Sequence, residues 1–460
     1  MSDTTGLTGT VAAWVARQST LALPPEVEHH VKRLVLDHLA GVVAGATTPV
    51  SRAVAAHAAA SYGTTGTGAT GIGAGRLSAL GAALVNGTSA HGLEVDDGYT
   101  PGSVHPSAVA LPAVLAAAQE HGSDPQRTLT ASAIALELTC RIAAAGHPST
   151  WRNHFHNTPL AGVMAAAAGV SALLGNDTGR TSDALGIAGS HAGGLFEFLG
   201  QSAEVKRVHP GKAARDGIAS AQLAAGGVTG PRTVLEGGHG YFAAFARDEW
   251  DPATVTSGLG QRWILLDTYV KPYPSCRHLH GPIDAALALR ERHGLTTHDV
   301  ASAAVGTYTV ATHHAHTEAD SFLDAQMSIP YAVAVALSRG KVTLTEFGDD
   351  TRAEADIRRL TSAVTVHTDD IAQAAYPKAR PATLTLTLRD GRTVSSTVEQ
   401  PYGEPANPMT DESLTTKFHG LIDPILGAAA AGELASAVWA FRDLHFLDTA
   451  DTLLRTGTTP

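Results

Sequence analysis

The chain has only two cysteines in 460 residues, Cys140 and Cys276. That is too few for a disulfide framework or for the thiolates of an iron–sulfur cluster. Aromatic residues make up 5% of the sequence, and only seven of the 32 basic residues are lysine. A formal net charge of −11 leaves no basic stripe to neutralise phosphates, which excludes nucleic acid as the expected partner. The opening Met-Ser-Asp carries no basic leader segment. The longest run of small and apolar residues, 160–175, reads as too short to span a bilayer. The expectation is a soluble cytoplasmic protein without membrane contact.

What is abundant is small residues. Hydrophobic content is 44% with 16% charged residues and 47 glycines, a composition that lets helices approach closely. Pro24-Pro25 opens a helical pattern with apolar positions at Val27, Val31, Leu34, Val35, Leu39 and Val42, ended by Gly45 and Pro49. Further alanine-rich helices are predicted at 51–61, 78–91, 107–121, 129–145, 158–174, 183–190 and 212–226. From Trp263 the texture changes: 303–312, 363–368 and 382–388 alternate as strands do. The last of these runs through Asp390-Gly391 into 394–398 as a hairpin. Helical periodicity returns after Pro401. The fold class is therefore mainly α: a large all-α domain from 1–266 together with 404–460, and a smaller inserted α+β domain at 267–403. The small-residue helices around 160–175 and 183–195 offer flat faces for a homodimer.

The chemistry concentrates in one loop, His91-Gly-Leu-Glu94-Val-Asp96-Asp97-Gly98, followed by Pro101-Gly102 and His105-Pro106. Carboxylates and imidazoles held between two helices suit proton transfer. Two later stretches supply cations and further histidines: Glu204-Val-Lys206-Arg207-Val-His209-Pro-Gly-Lys212, read as a basic turn, and Lys271-Pro-Tyr273-Pro-Ser-Cys276-Arg277-His278-Leu-His280. Gly71-Ile-Gly73-Ala-Gly75 imitates a dinucleotide fingerprint but lacks the spacing and the strand that would precede it. His313-His314-Ala-His316 with Glu318 and Asp320, His154-Phe-His156 and His278-Leu-His280 lack a second cluster at ligand spacing. No metal, nucleotide or other cofactor is expected.

In order, these motifs resemble the MmgE/PrpD family, whose members include 2-methylcitrate dehydratase and cis-aconitate decarboxylase. The pattern is His-x-Leu-Asp-x-Asp-Asp, His-Pro opening a helix, a pocket Lys, then Lys-x-Tyr-Pro-x-Cys-x-x-His. Asn86-Gly87, Leu235-Glu236-Gly237 and Ser328-Ile-Pro-Tyr331 add support, and the resemblance runs from about residue 24 to 455. It implies a helical domain plus a smaller lid, metal-independent chemistry, a homodimer, and a site in which His105 and His156 are acid/base groups. Glu94, Asp96, Lys206 and Lys271 complete the implied catalytic set. Asp97, Arg207, Tyr273, Cys276, His278 and Tyr331 are the implied substrate contacts, the two lysines holding substrate carboxylates from opposite domains. Glu94 stands where many members have Asp, Gly98 where decarboxylases carry Thr, and Cys276 where they carry His. One extra residue between the acidic motif and His105 requires a bulge.

Residue types then set the expected reaction. Lysines and histidines lining a cleft of an acidic protein favour a small di- or tricarboxylate, whose deprotonation next to a carboxylate the ammonium groups stabilise. The leading expectation is a hydro-lyase acting on a 2-methylcitrate-like hydroxy-polycarboxylate. Decarboxylation, epimerisation, recruitment as an isomerase or cyclase, and a non-catalytic binding role are the alternatives.

Overall fold

A computed structural model describes residues 6–63, 67–200, 203–247 and 249–457. The Thr-rich tail falls largely at 458–460, outside the described residues. The chain forms two compact units, 1–269 with 411–460, and 270–410. The divisions lie three and seven residues beyond the expected 266/267 and 403/404.

The first unit is helical. It begins with α1 (Leu7–Gln18), α2 (Pro25–Gly45) and α3 (Pro49–Ser61), the last two with proline in their first turn, where a missing N–H costs nothing. All six apolar positions predicted on α2 are buried. A short hairpin follows, β1 (Ala69–Gly71) with β2 (Gly75–Leu77), so the Gly71–Gly75 cluster is a turn rather than the mouth of a nucleotide site, and a strand does precede it. Next come α4 (Ala79–Ala90), α5 (Ser107–His121), α6 (Pro125–Gly146), α7 (Ser149–Arg152), α8 (Asn157–Leu174), α9 (Thr178–His191) and α10 (Val205–Ala225). Gly122 and Gly175 close α5 and α8 in the left-handed conformation that a helix C-terminus favours. Short helices α11 (Tyr241–Phe245) and α12 (Pro252–Thr256) complete this part. Arg141 on α6, buried against Glu137 at 2.7 Å, donates to the carbonyls of Val255, Ser257 and Arg262 and so fixes that segment.

Two sequence expectations change here. Helix α8 has 18 residues and, with α6, is long and apolar enough to cross a membrane; 94% of each apolar window is instead buried by protein. Burial, not shortness, accounts for the run. Residues 157–173 are buried throughout, with Gly162 against Val109, Gly169 against Ala135, and Gly217 of α10 against Ala166. The 160–173 part of the face expected to join a dimer is buried inside the unit, whereas Ser190, His191 and Leu195 in the 183–195 part are exposed.

The second unit packs α13 (His280–His293) against a four-stranded sheet in the order β4-β3-β5-β6. β3 (Val300–Thr307) runs parallel to β4 (Val364–Thr368) and antiparallel to β5 (Ala382–Leu388), which pairs with β6 (Thr393–Val398). Between β3 and β4 lie α14 (Phe322–Gln326), α15 (Ile329–Arg339), α16 (Asp349–Ala353) and α17 (Ala355–Ser362), with α18 (Asp370–Ala375) after β4. Ala382, Leu384, Leu386 and Leu388 alternate inward, as their spacing predicts. The strand expected over 303–312 stops at Thr307, where the Asp369 N–H bonds the Thr307 carbonyl. A 3-10 turn at Ala311–His314 follows. The chain then returns to the first unit through α19 (Asp411–Leu426), α20 (Ala428–Ala440) and α21 (His445–Thr456). The protein is mainly α with a smaller α+β unit.

Candidate active site

Glycine governs the approach of the elements that carry the site. Where α4 crosses α10, a Cβ on Gly87 would lie 2.7 Å from the Gly211 Cα, and one on Gly211 would lie 2.2 Å from the Leu84 carbonyl oxygen. No larger residue fits either position without separating the helices. The crossing sets the first turns of α10, carrying Lys206 and His209, beside the loop that leaves α4 at His91. The stretch expected as a basic turn is thus helical from Val205, Pro210 included. From the C-terminal helices, Lys417 on α19 donates to the Val95 carbonyl at 2.7 Å and to Asp37 at 2.5 Å, tying down the acidic loop.

Within that loop the two aspartates have different tasks. Asp97 caps α5: its carboxylate accepts from the Ser107 N–H at 3.2 Å and the Ser107 hydroxyl at 2.9 Å. Burial, with the nearby carboxylates of Asp96 and Asp37, pushes its pKa up to about 8. Asp96 faces the histidines, its Oδ2 lying 2.6 Å from His91 Nδ1 and 3.4 Å from His105 Nδ1. The Asp97 main-chain carbonyl is 2.7 Å from His105 Nδ1. A carbonyl only accepts, so in the neutral ring Nδ1 carries the proton and Nε2 the lone pair. The extra residue before His105 is taken up by a 3-10 turn at Thr100–Gly102 and by Ser103 in the left-handed region, with Tyr99 and Val104 bridged across it.

Two more imidazoles close the group. His156, at the N-terminus of α8, has its Nδ1 3.1 Å from His209 Nδ1, and its ring centroid is 5.8 Å from that of His91. Burial, followed by the charges of His91, His209 and Lys206, holds His156 well below the usual imidazole range. Burial, followed by His91, Lys212 and Lys206, brings His209 down to about 4. Both are therefore neutral near pH 7. Lys206 is ion-paired with Glu94, whose backbone takes φ 57° to present the carboxylate. A cavity of about 450 Å³ between α3 and α10 reaches His209 and Lys212. A larger hollow of about 540 Å³ lies elsewhere, near Ser19, Arg127 and Asp177, and contains no histidine.

The structure thus brings His105, His156, Glu94, Asp96, Asp97 and Lys206 together in the first unit. Arg207 lies on α10 but pairs outward with Glu204 at 2.7 Å. Lys271, Tyr273, Cys276, His278 and Tyr331 belong to the second unit. Lys271 is buried. Tyr273 donates to Asp284 at 2.5 Å, and Cys276 and His278 gather with His314. Tyr331, expected as an aromatic wall of the pocket, is instead a core residue: it is 1% exposed and its hydroxyl donates to the Glu346 carbonyl at 2.6 Å. Two histidines outside the implied catalytic and binding sets join the group: His91, fully buried with an Nε2 that has no hydrogen-bond partner among the described residues, and His209. Lys206 and His209 are three apart, a spacing that marks one helix face once the stretch is read as helix.

Residues 9–253 match the MmgE/PrpD N-terminal domain and residues 273–442 the MmgE/PrpD C-terminal domain. The chain belongs to the MmgE/PrpD family. Relatives in it include the cis-aconitate decarboxylase of Aspergillus terreus, 28% identical over 94% of this chain and 92% of its own. The cis-aconitate decarboxylase-like protein oryM of Aspergillus oryzae is 27% identical over 94% of each chain. Human cis-aconitate decarboxylase is 26% identical over 95% and 92%. The family and these relatives are lyases, and the relatives carry decarboxylase names rather than the hydro-lyase activity expected from the sequence.

Proposed function

We propose that this protein is a lyase that decarboxylates a small polycarboxylate, with cis-aconitate the first substrate to try. The observation that carries the reading is His105, its Nδ1 2.7 Å from the Asp97 carbonyl and 3.4 Å from Asp96, in the same unit as Lys206. Whole-length similarity to cis-aconitate decarboxylases favours this outcome over dehydration.

In the proposed step the bond between a substrate carboxylate carbon and its neighbour breaks. The electron pair stays on carbon and CO₂ leaves. An ammonium group at Lys206 stabilises the charge spread onto the remaining carboxylates. His105, protonated on Nε2 and stabilised by Asp96, gives that proton to carbon and regains one from solvent. Neutral His156 and His209 offer hydrogen bonds without adding a second full charge.

Dehydration is the second reading, favoured by one feature. A Cβ at Gly98 would lie 2.3 Å from the Tyr269 ring and hydroxyl, so position 98 cannot take the threonine of the decarboxylase pattern unless Tyr269 moves. Carbon-13 NMR of cis-aconitate and of methylcitrate incubated with the protein separates the two: CO₂ release from the first supports decarboxylation, and water loss from the second supports dehydration. Turnover of neither, nor of related di- and tricarboxylates, would sink the lyase reading for polycarboxylates.

A further inference from the structure

The second unit gathers a donor set that the lyase reading does not use. Cys276 ends the Lys271–Cys276 segment, His278 sits in the 3-10 turn Arg277–Leu279, and His314 ends the 3-10 turn that interrupts the expected strand. One donor atom from each lies within 4.8 Å of the other two. We propose that Cys276, His278 and His314 form a binding site for a thiophilic divalent cation, zinc foremost. The proposal is independent of the lyase reading and makes ion ligands of two residues expected to touch substrate.

Geometry supports it first. Zinc about 2.3 Å from a thiolate and about 2.0 Å from an imidazole nitrogen, at a tetrahedral angle, sets the two donors about 3.5 Å apart. The Cys276 Sγ to His314 Nε2 distance is 3.5 Å. His278 and His314 stack with centroids 5.5 Å apart, and the third donor lies within 4.8 Å of the other two.

The supporting hydrogen bonds point the same way. His314 Nδ1 lies 2.9 Å from the Met327 carbonyl, which can only accept, so the proton sits on Nδ1 and Nε2 presents its lone pair toward the sulfur. His278 Nδ1 lies 2.6 Å from the Tyr308 hydroxyl, and with that oxygen accepting, its Nε2 is likewise a donor to metal. Imidazole fixed by a carbonyl or hydroxyl through its other nitrogen is the usual arrangement of a histidine ligand.

Chemistry and access complete the case. One thiolate and two imidazoles suit zinc, whereas calcium and magnesium require oxygen donors. All three side chains are partly exposed, which gives the ion a route in and leaves a fourth position for water. Arg380 and Arg277 both oppose a cation at His278, Arg277 being paired with Glu404 at 2.9 Å, so the thiolate of Cys276 must supply the compensating charge. The other close group of this kind, His91, Asp96 and His105, belongs to the proposed active site.

The test uses the full chain, stripped with chelator and titrated with zinc chloride by calorimetry, then with cobalt chloride by absorption. One equivalent should bind, with a thiolate-to-cobalt charge-transfer band in the near ultraviolet. Cys276→Ser should abolish that band, and His314→Gln and His278→Gln should each weaken zinc binding at least tenfold. His313→Gln, next in sequence but outside the triad, should leave binding unchanged. Circular dichroism of each variant separates lost ligation from lost folding. Absence of binding at micromolar zinc in the parent protein, or unaltered binding in the folded Cys276→Ser and His314→Gln variants, overturns the proposal.

Discussion

The Nδ1 of His105 meets the main-chain carbonyl of Asp97 at 2.7 Å, an orientation fixed by the same residue whose side chain caps the helix that follows. A backbone carbonyl does not titrate, so the tautomer of His105 holds across the pH range in which the imidazole stays neutral. Replacing His105 with Ala removes the nitrogen proposed to face substrate. Turnover should fall by roughly 100-fold or more while circular dichroism stays that of the parent. A variant with near-parental turnover would take His105 out of the reaction.

Lys206 pairs with Glu94 from across the α4–α10 crossing, and its charge reaches both His156 and His209. Lys206→Met should raise KM for a polycarboxylate and lower kcat, because the ammonium acts on both bound substrate and developing carbanion. The variant should also lose part of the salt sensitivity of kcat/KM. An unchanged KM with unchanged salt dependence would assign Lys206 to Glu94 alone.

The Gly211 crossing is testable through stability. Gly211→Ala places a methyl group 2.2 Å from the Leu84 carbonyl, a backbone clash that no side-chain rotation relieves. Overpacking of this kind costs about 1–3 kcal/mol, and the displacement carries Lys206 and His209 with it. Urea unfolding should show a lower midpoint, and turnover should drop alongside it. Ala at Gly238, where nothing lies within 4 Å of the added carbon, should leave both unchanged.

How far the sequence foretold this arrangement differs from element to element. The predicted helix at 107–121 has those bounds in the structure, because its alanine-rich run ends on a glycine that adopts the left-handed cap. The β5 strand coincides as well, its alternation intact on a sheet with one buried face. His105, Asp96 and Glu94 were legible because they crowd one loop. Val205–Lys212 was not, since Pro210-Gly211 reads locally as a breaker. What makes Gly211 obligatory is the Leu84 backbone, more than 120 residues away in the chain. Tyr331 was misplaced for a related reason: the acceptor that holds its hydroxyl, the Glu346 carbonyl, has no sequence signature. The meeting of His314 with Cys276 depends on β3 ending at Thr307, whereas the alternating residues continue to Thr312.

The buried Asp97 carboxyl makes a prediction about pH. Its folded pKa, about 8, is raised above the ordinary 3.8, so the folded state holds a proton there that the unfolded chain releases. The stability linked to that proton is full below pH 3.8 and is lost as pH rises through 8. Melting temperature should therefore fall as pH rises from about 5 to 8 and level off above 8, and Asp97→Asn, which keeps an acceptor for Ser107, should flatten that decline. An identical slope in the variant would show that another group is responsible.

The proposed acid/base groups and fixed cation all lie in the first unit, whereas the cysteine–histidine site lies in the second. If proton transfer and a lysine ammonium suffice for the reaction, protein dialysed against a strong chelator should keep its turnover within about twofold, because an ammonium can stabilise a carbanion's charge as a metal does. The same sample should have lost whatever zinc it carried, measured by mass spectrometry, which makes the two sites separable in one preparation. Loss of turnover on chelation, restored by zinc and abolished again by Cys276→Ser, would instead put the ion of the second unit into the reaction. The division of labour proposed between the two sites would then be wrong.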